Sequence, residues 1–350
     1  MSELQISLLA IGLVVVAGIF LYGQWQQWRY RRNLGADSQE VVAEPAPAST
    51  ASRPVQREEA ADILAPMETS GKEPDGVCGL LNDSTDYVAT MLLKGPLDPG
   101  VLEPLWQRRF DFGKNVTICG LNNGSSLWER VVPESPQTYR AFRIGLQLVD
   151  RNGSISEMRL AGFHDLLQEI ARGLQIEVKL PPVREVLQRA LELDRFCADV
   201  DQMVGINLLA AGERKLFGTE VASAAERAGL SLQSDGAFHL LAADGATILS
   251  LEATEGTPFQ PLTLNQVRVD SLTLLLDIPR VQDPVLRFEE MVALAHQLAQ
   301  AMRLTLADDQ RVALGEGALA QIRSQVSSIE EMMTTGHITP GSAQALRLFS

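Results

Sequence analysis

Cysteine and histidine are scarce in this chain, three of one and four of the other in 350 residues, and that scarcity removes several kinds of chemistry. Cys78, Cys119 and Cys197 stand far apart with no paired spacing, so neither a zinc site nor a disulfide framework is indicated and they read as reduced core residues. His164, His239, His296 and His337 each stand alone, with no nucleophile motif or Gly-rich phosphate loop beside them. The glycines at 120–126 lack a following helix with a lysine and read as a strand connection. Asp308 and Asp309 are adjacent carboxylates, but they fall in a turn, where Asp commonly bonds its own backbone. The sequence therefore argues against an enzyme, and no cofactor or metal site is expected. Positive charge is short as well. The net charge is −14, and outside a few N-terminal arginines no basic patch could follow a phosphate backbone, so nucleic acid is not an expected partner.

What the chain does have begins at its N-terminus. From Leu4 to Trp28 there is no charged side chain, and Ile11 to Leu21 is aliphatic apart from Gly12 and Gly18. A bilayer core takes roughly 20 such residues in a helix. Arg29, Arg31 and Arg32 follow the run at once, with Tyr22, Trp25, Trp28 and Tyr30 at the same end. Positive residues stay on the cytoplasmic side and aromatic rings collect at the interface. This predicts a single-pass anchor over residues 1–35 that contacts the lipid bilayer through residues 6–28, with the N-terminus periplasmic and the rest cytoplasmic. A cleaved signal peptide would carry its positive charge before the apolar run. Residues 36–77 follow as a linker, with Pro45, Pro47, Pro54, Pro66 and Pro74 in an Ala, Glu and Ser background of no regular period. A flexible chain of this length spans on the order of 35 Å.

Residues 78–350 read as two copies of one unit, 78–200 and 201–333, and a flexible tail, 334–350. Each copy opens with an apolar strand, Tyr87 to Gly95 or Met203 to Gly212. A helix follows, then an alternating stretch, Phe110 to Gly120 or Leu230 to Leu241, and another strand, Leu127 to Val132 or Thr247 to Ala253. A longer strand comes next, Phe142 to Val149 or Leu272 to Pro279, then an amphipathic helix from near Phe163 or Phe288, a short strand and a final helix. In the long strands Phe142, Ile144, Leu146 and Leu148, or Leu272, Leu274, Leu276 and Ile278, alternate with residues that point the other way. Such alternation implies a mostly antiparallel sheet covered by helices on one face, an α+β unit whose bare face is the place to look for function.

Several stretches of the second unit carry a family resemblance: Ile206 to Ala211 (INLLAA), Ala228 to His239 (AGLSLQSDGAFH), Leu272 to Pro279 (LTLLLDIP) and, most specifically, Ala307 to Leu314 (ADDQRVAL). With an N-out anchor and a Pro-rich acidic linker ahead of it, this unit resembles the ZipA family of bacterial division proteins. Residues 78–200 are similar more faintly, chiefly at Phe110 to Gly113 (FDFG). The resemblance implies a single-pass inner-membrane protein of the division septum that binds the FtsZ C-terminal tail in a shallow groove on the open sheet face and tethers Z-ring filaments. The groove positions it implies are Leu208, Asp235, Ala237, Glu252, Thr254, Thr273 and Leu275. Gly145 and Arg143 stand where the second unit has Leu275 and Thr273, so the first unit is not expected to offer the same groove. The alternative class is a membrane-tethered peptide-binding adaptor for another cytoplasmic assembly, and a hydrolase built on His239 and a carboxylate is the third.

Overall fold

The computed structural model describes residues 78–350; the expected anchor at 1–35 and linker at 36–77 lie outside the described residues. Among the described residues no helix is long and apolar enough to cross a membrane. The first unit runs β1 (Asp86–Leu97), α1 (Glu103–Arg108), β2 (Val116–Asn122), β3 (Trp128–Arg130), β4 (Tyr139–Gln147), a small hairpin β5 (Val149–Asp150) and β6 (Gly153–Ser154), α2 (Glu157–Leu174), β7 (Glu177–Lys179) and α3 (Val183–Val200). The second runs β8 (Met203–Ala210), β9 (Leu216–Phe217), α4 (Gly218–Arg227), β10 (Ser231–Leu232), β11 (Phe238–Leu241), β12 (Thr247–Ala253), β13 (Arg268–Val269), β14 (Ser271–Asp277), α5 (Pro284–Met302), β15 (Leu304–Ala307) and α6 (Glu316–Thr335), and the chain ends with α7 (Ala343–Leu348).

Both main sheets are antiparallel, in the orders β3, β2, β4, β1, β7 and β10, β11, β12, β14, β8, β15. The central strands correspond: a long strand, the opening strand beside it, and a short strand at the edge. The hairpins differ. In the first unit the leading hairpin strand, β2, lies beside the long strand; in the second it is the trailing strand, β12. Local alternation marks both hairpin strands equally and carries no information on which one docks.

The helices form where the sequence places apolar stripes and end signals. In α2, Ser156 caps the start by accepting from the Arg159 amide, and Gln175 closes the end in the left-handed region at φ 55°. Leu160, Phe163, Leu166, Leu167 and Ile170 bury one face against the first sheet. Pro284 sits in the first turn of α5, and Phe288, Met291, Leu294, Ala295, Leu298 and Met302 line its buried side. Each large side chain so buried contributes roughly 1.5–3 kcal/mol, and residues of both units join one continuous core.

The connection between the units is ionic as well as apolar. Arg151, in the β5–β6 turn, donates from Nη2 to Asp201 Oδ1 at 2.6 Å and to Asp277 Oδ1 at 2.8 Å, and its Nε reaches Asp201 at 3.1 Å. Burial disfavours its charge, but the two carboxylates prevail and hold the guanidinium pKa above its ordinary value. Burial also raises Asp277, against the pull of Arg151. The C-terminal segment is not the flexible tail expected from sequence. Ile338, Ala345, Leu348 and Phe349 are buried, Phe349 lies 6.0 Å from the Arg151 guanidinium, and Gln147 Nε2 donates to the Arg347 carbonyl at 2.8 Å.

The first sheet also departs from the expected one-sided covering. Its helix-free face is closed by the chain's own residues 78–85. Cys78 is joined to Cys119 on β2 by a disulfide with the Cα atoms 6.4 Å apart, which corrects the reading of both as reduced. Leu81 lies over Gly145, where a Cβ would come within 2.3 Å of the Leu81 side chain. These residues pack with Val88 and Trp128 in a small apolar cluster separate from the main core. Sequence spacing does not show this pairing, because the sheet brings together positions 41 residues apart.

Candidate functional site: the helix-free face of the second sheet

Strand parity decides which residues of the second sheet can meet a partner. β8 pairs with β14 so that Ile206 lies opposite Leu274 and Leu208 opposite Leu272, and β12 sets Leu251 opposite Leu274. All five are fully buried beneath the helices. The intervening residues make the other face. Ser250, Leu275 and Gly205 form one row across it; Glu252, Thr273, Asn207 and Ala307 form the next.

The seven expected groove positions divide accordingly. Glu252, Thr273 and Leu275 share the helix-free face, and Thr254 joins them by a hydrogen bond to Thr273 (Oγ1 to Oγ1, 2.9 Å). Leu275 and Glu252 are half-buried and Thr254 is exposed. Asp235 is exposed in the turn before β11, accepting from the Ala237 amide at 3.1 Å, while Ala237 itself is buried. Leu208 does not belong to this face: with 0% of its surface exposed it lies in the core. Successive strand residues point to opposite faces, so an error of one residue exchanges core for surface. In INLLAA both parities carry an aliphatic residue, Leu208 on one and Leu209 on the other, and alternation alone gives no choice between them.

Sequence reasoning missed Gly205, Asn207 and Ser250, and it read Asp309 only as a turn residue. Gly205 leaves a shallow floor beside Leu275: an added Cβ would stand 3.5 Å from Leu275 Cδ2 and 3.6 Å from Thr273 Cγ2. Asn207 is the centre of a buried polar ladder. Its Oδ1 accepts from Thr273 Oγ1 at 2.7 Å, and its Nδ2 donates to Asp309 Oδ1 at 3.1 Å. Asn207 and Thr273 are buried, and buried polar groups are tolerated because they are paired in this way. Asp308 does what its turn position implies, accepting from the amides of Gln310 and Val312 at 2.9 and 2.8 Å. The DDQR run thus has a physical role: one Asp shapes the turn and the other reaches back to end the ladder. The face is apolar and shallow around Leu275 and Gly205, polar along Thr254, Thr273 and Asn207, and acidic at Glu252 and Asp235.

His239 sits at the margin of this surface. Its Nδ1 meets Thr247 Oγ1 and its Nε2 meets Asp235 Oδ2, each at 2.9 Å, so one ring nitrogen bridges β11 to β12 and the other ties β11 to the preceding turn. His164 is the core partner of the Tyr87 hydroxyl at 2.8 Å. Among the described residues no three His, Cys, Asp or Glu side chains converge as a metal site.

A sheet with one face buried under helices and the other presenting a shallow depression rimmed by backbone-ordered polar groups has the architecture of an interaction domain. Residues 202–325, most of the second unit, match the family model of the ZipA C-terminal FtsZ-binding domain, a domain of protein interaction. No curated protein matches the chain.

Proposed function

We propose that this protein is a cell-division adaptor whose second unit binds the FtsZ C-terminal tail on its helix-free sheet face. The observation that carries the reading is the coincidence of the family match with a half-buried Leu275 beside Gly205 on that face. The groove is formed by Leu275, Gly205 and Ser250 at its floor, with Thr273, Thr254, Glu252, Asp235 and Ala237 around it. The apolar run before Arg29 supplies a single-pass inner-membrane anchor with the N-terminus in the periplasm, and the acidic linker lets the body search a shell beneath the membrane.

Affinity for one tail is modest. Burying about 500 Å² of apolar surface at about 25 cal/mol/Å² is worth on the order of 12 kcal/mol gross. Association and ordering remove about half or more, leaving micromolar binding. Many anchors on one membrane engaging neighbouring subunits of one filament convert later contacts into intramolecular ones, and avidity rises by orders of magnitude. The acidic rim favours a tail segment carrying positive charge near Glu252 and Asp235.

Replacing the central apolar contact by a charge tests the groove: Leu275→Glu is expected to weaken capture of an FtsZ tail peptide by the full chain at least about tenfold, from the roughly 1.5–3 kcal/mol lost with one buried leucine. Unchanged binding would move the site elsewhere. Localisation tests the division role: the full chain should concentrate at the septum of dividing cells, and uniform membrane staining at every stage would favour an adaptor for another assembly.

A further inference from the structure

We propose that residues 78–85 are a thiol-locked lid over the first unit's own counterpart of the groove. When the two units are aligned through their long strands, Phe142 with Leu272, the register puts Gly145 at the place of Leu275, Val88 at that of Gly205 and Cys119 at that of Glu252. The first unit fills those three places with its own chain: Cys78 is bonded to Cys119, and Leu81 lies on Gly145 against Val88. Where the second sheet presents a face to a partner, the first is already occupied by an internal segment.

The lid is held at few points. Gly79, Leu80, Asn82, Asp83 and Ser84 are exposed, Leu80 at 45%; of residues 78–84 only Cys78 and Leu81 bury their side chains. The other holds are polar and lie at its rim. Arg347 Nη1 donates to the Leu80 carbonyl at 3.1 Å and Asp83 lies 3.8 Å from Arg143. Without the covalent bond Leu81 is the one buried side chain of residues 79–84 that retains the segment on the sheet, beside polar holds from Arg347, Asp86 and Gln344, and a segment with so little buried surface opens locally. Val88, Gly145, Cys119 and Trp128 are then bared. In a thiol-reducing compartment such as the cytoplasm proposed above, protein disulfides are transient and redox-sensing. The step is thiol–disulfide exchange with a dithiol. Its thiolate attacks the more accessible Cys78 sulfur and expels the Cys119 thiolate, which takes up a proton. The second thiol of the reagent then displaces Cys78 and closes a disulfide within the reagent. Two protein thiols and one oxidised reagent result.

The test compares the oxidised and dithiothreitol-reduced full chain by thiol counting and amide hydrogen exchange. The oxidised chain, unfolded in alkylating reagent, should carry one modifiable thiol, Cys197, and the reduced chain three. Reduction should speed exchange of the Leu81, Asn82 and Thr85 amides at least tenfold and leave β8, β12 and β14 unchanged. Cys78→Ser, at the outer end of the segment, should reproduce the fast exchange without reductant. Three modifiable thiols under oxidising conditions, or equal protection of the lid with and without the bond, would overturn the proposal.

Discussion

At the scale of single residues, this protein depends on polar groups whose partners come from distant parts of the chain. Asp309 is the last rung of the ladder through Asn207 and Thr273. Asp309→Ala leaves the Asn207 amide without its acceptor in a buried site, and a loss of about 1–3 kcal/mol is expected in urea unfolding. Asp86 is wholly buried and is paired with Arg347 from the C-terminal helix. Arg347→Met removes that charged partner and leaves the carboxylate the Asn82 amide and the Thr85 hydroxyl as donors, and should cost about 3 kcal/mol, a larger effect than an exposed arginine would give. Cys197 tests burial directly. Its thiol is pushed up to about 12, by burial first and then by Asp194 and Asp201, so below that pH it stays protonated and the reactive thiolate is nearly absent at pH 8. Alkylation of Cys197 at pH 8 should follow global unfolding, and rapid labelling of the folded chain would contradict the packing described. The Asp309–Asn207 and Asp86–Arg347 pairings are not legible in sequence, because each joins residues separated by many elements.

At the scale of elements, legibility followed periodicity. The stripe Phe163, Leu166, Leu167, Ile170 and the stripe Phe288, Met291, Ala295, Leu298 are readable because three-and-four spacing has one interpretation, a buried helix face. The long strands are also readable, since Thr273 and Asp277 set the phase of LTLLLD although Leu275 on the same parity is apolar. β8 is not, because both of its faces carry aliphatic side chains, and the family resemblance alone places Leu208 on the open face when it lies in the core. The exchange of hairpin strands between the units and the burial of α7 were hidden for a different reason: both are choices among docking partners, which local patterns do not encode. The elements that join the units carry their own prediction. Arg151 bridges Asp201 in the connection and Asp277 in β14, so Arg151→Leu leaves two partly buried carboxylates together. A destabilisation of about 3–5 kcal/mol is expected, with a shift of the unfolding midpoint to lower denaturant. A change below about 0.5 kcal/mol would mean that apolar contact alone holds the junction.

At the scale of the whole molecule, the two units form one body with a shared core but unequal sheet faces. The first is closed by its own residues 78–85 and the second is left bare, and the proposed partner binding by the second unit rests on this asymmetry. In the proposed function, anchor, linker and groove form one mechanism, in which weak contacts become effective through number at the membrane. The measurement that addresses this most directly is a hydrogen-exchange footprint of an FtsZ C-terminal tail peptide on the full chain. The account predicts protection confined to the helix-free face of the second sheet, at β8, β12 and β14 around Gly205, Ser250 and Leu275, and lost in Leu275→Glu. Protection on the helices or on the first unit, or no footprint at peptide concentrations well above micromolar, would contradict it.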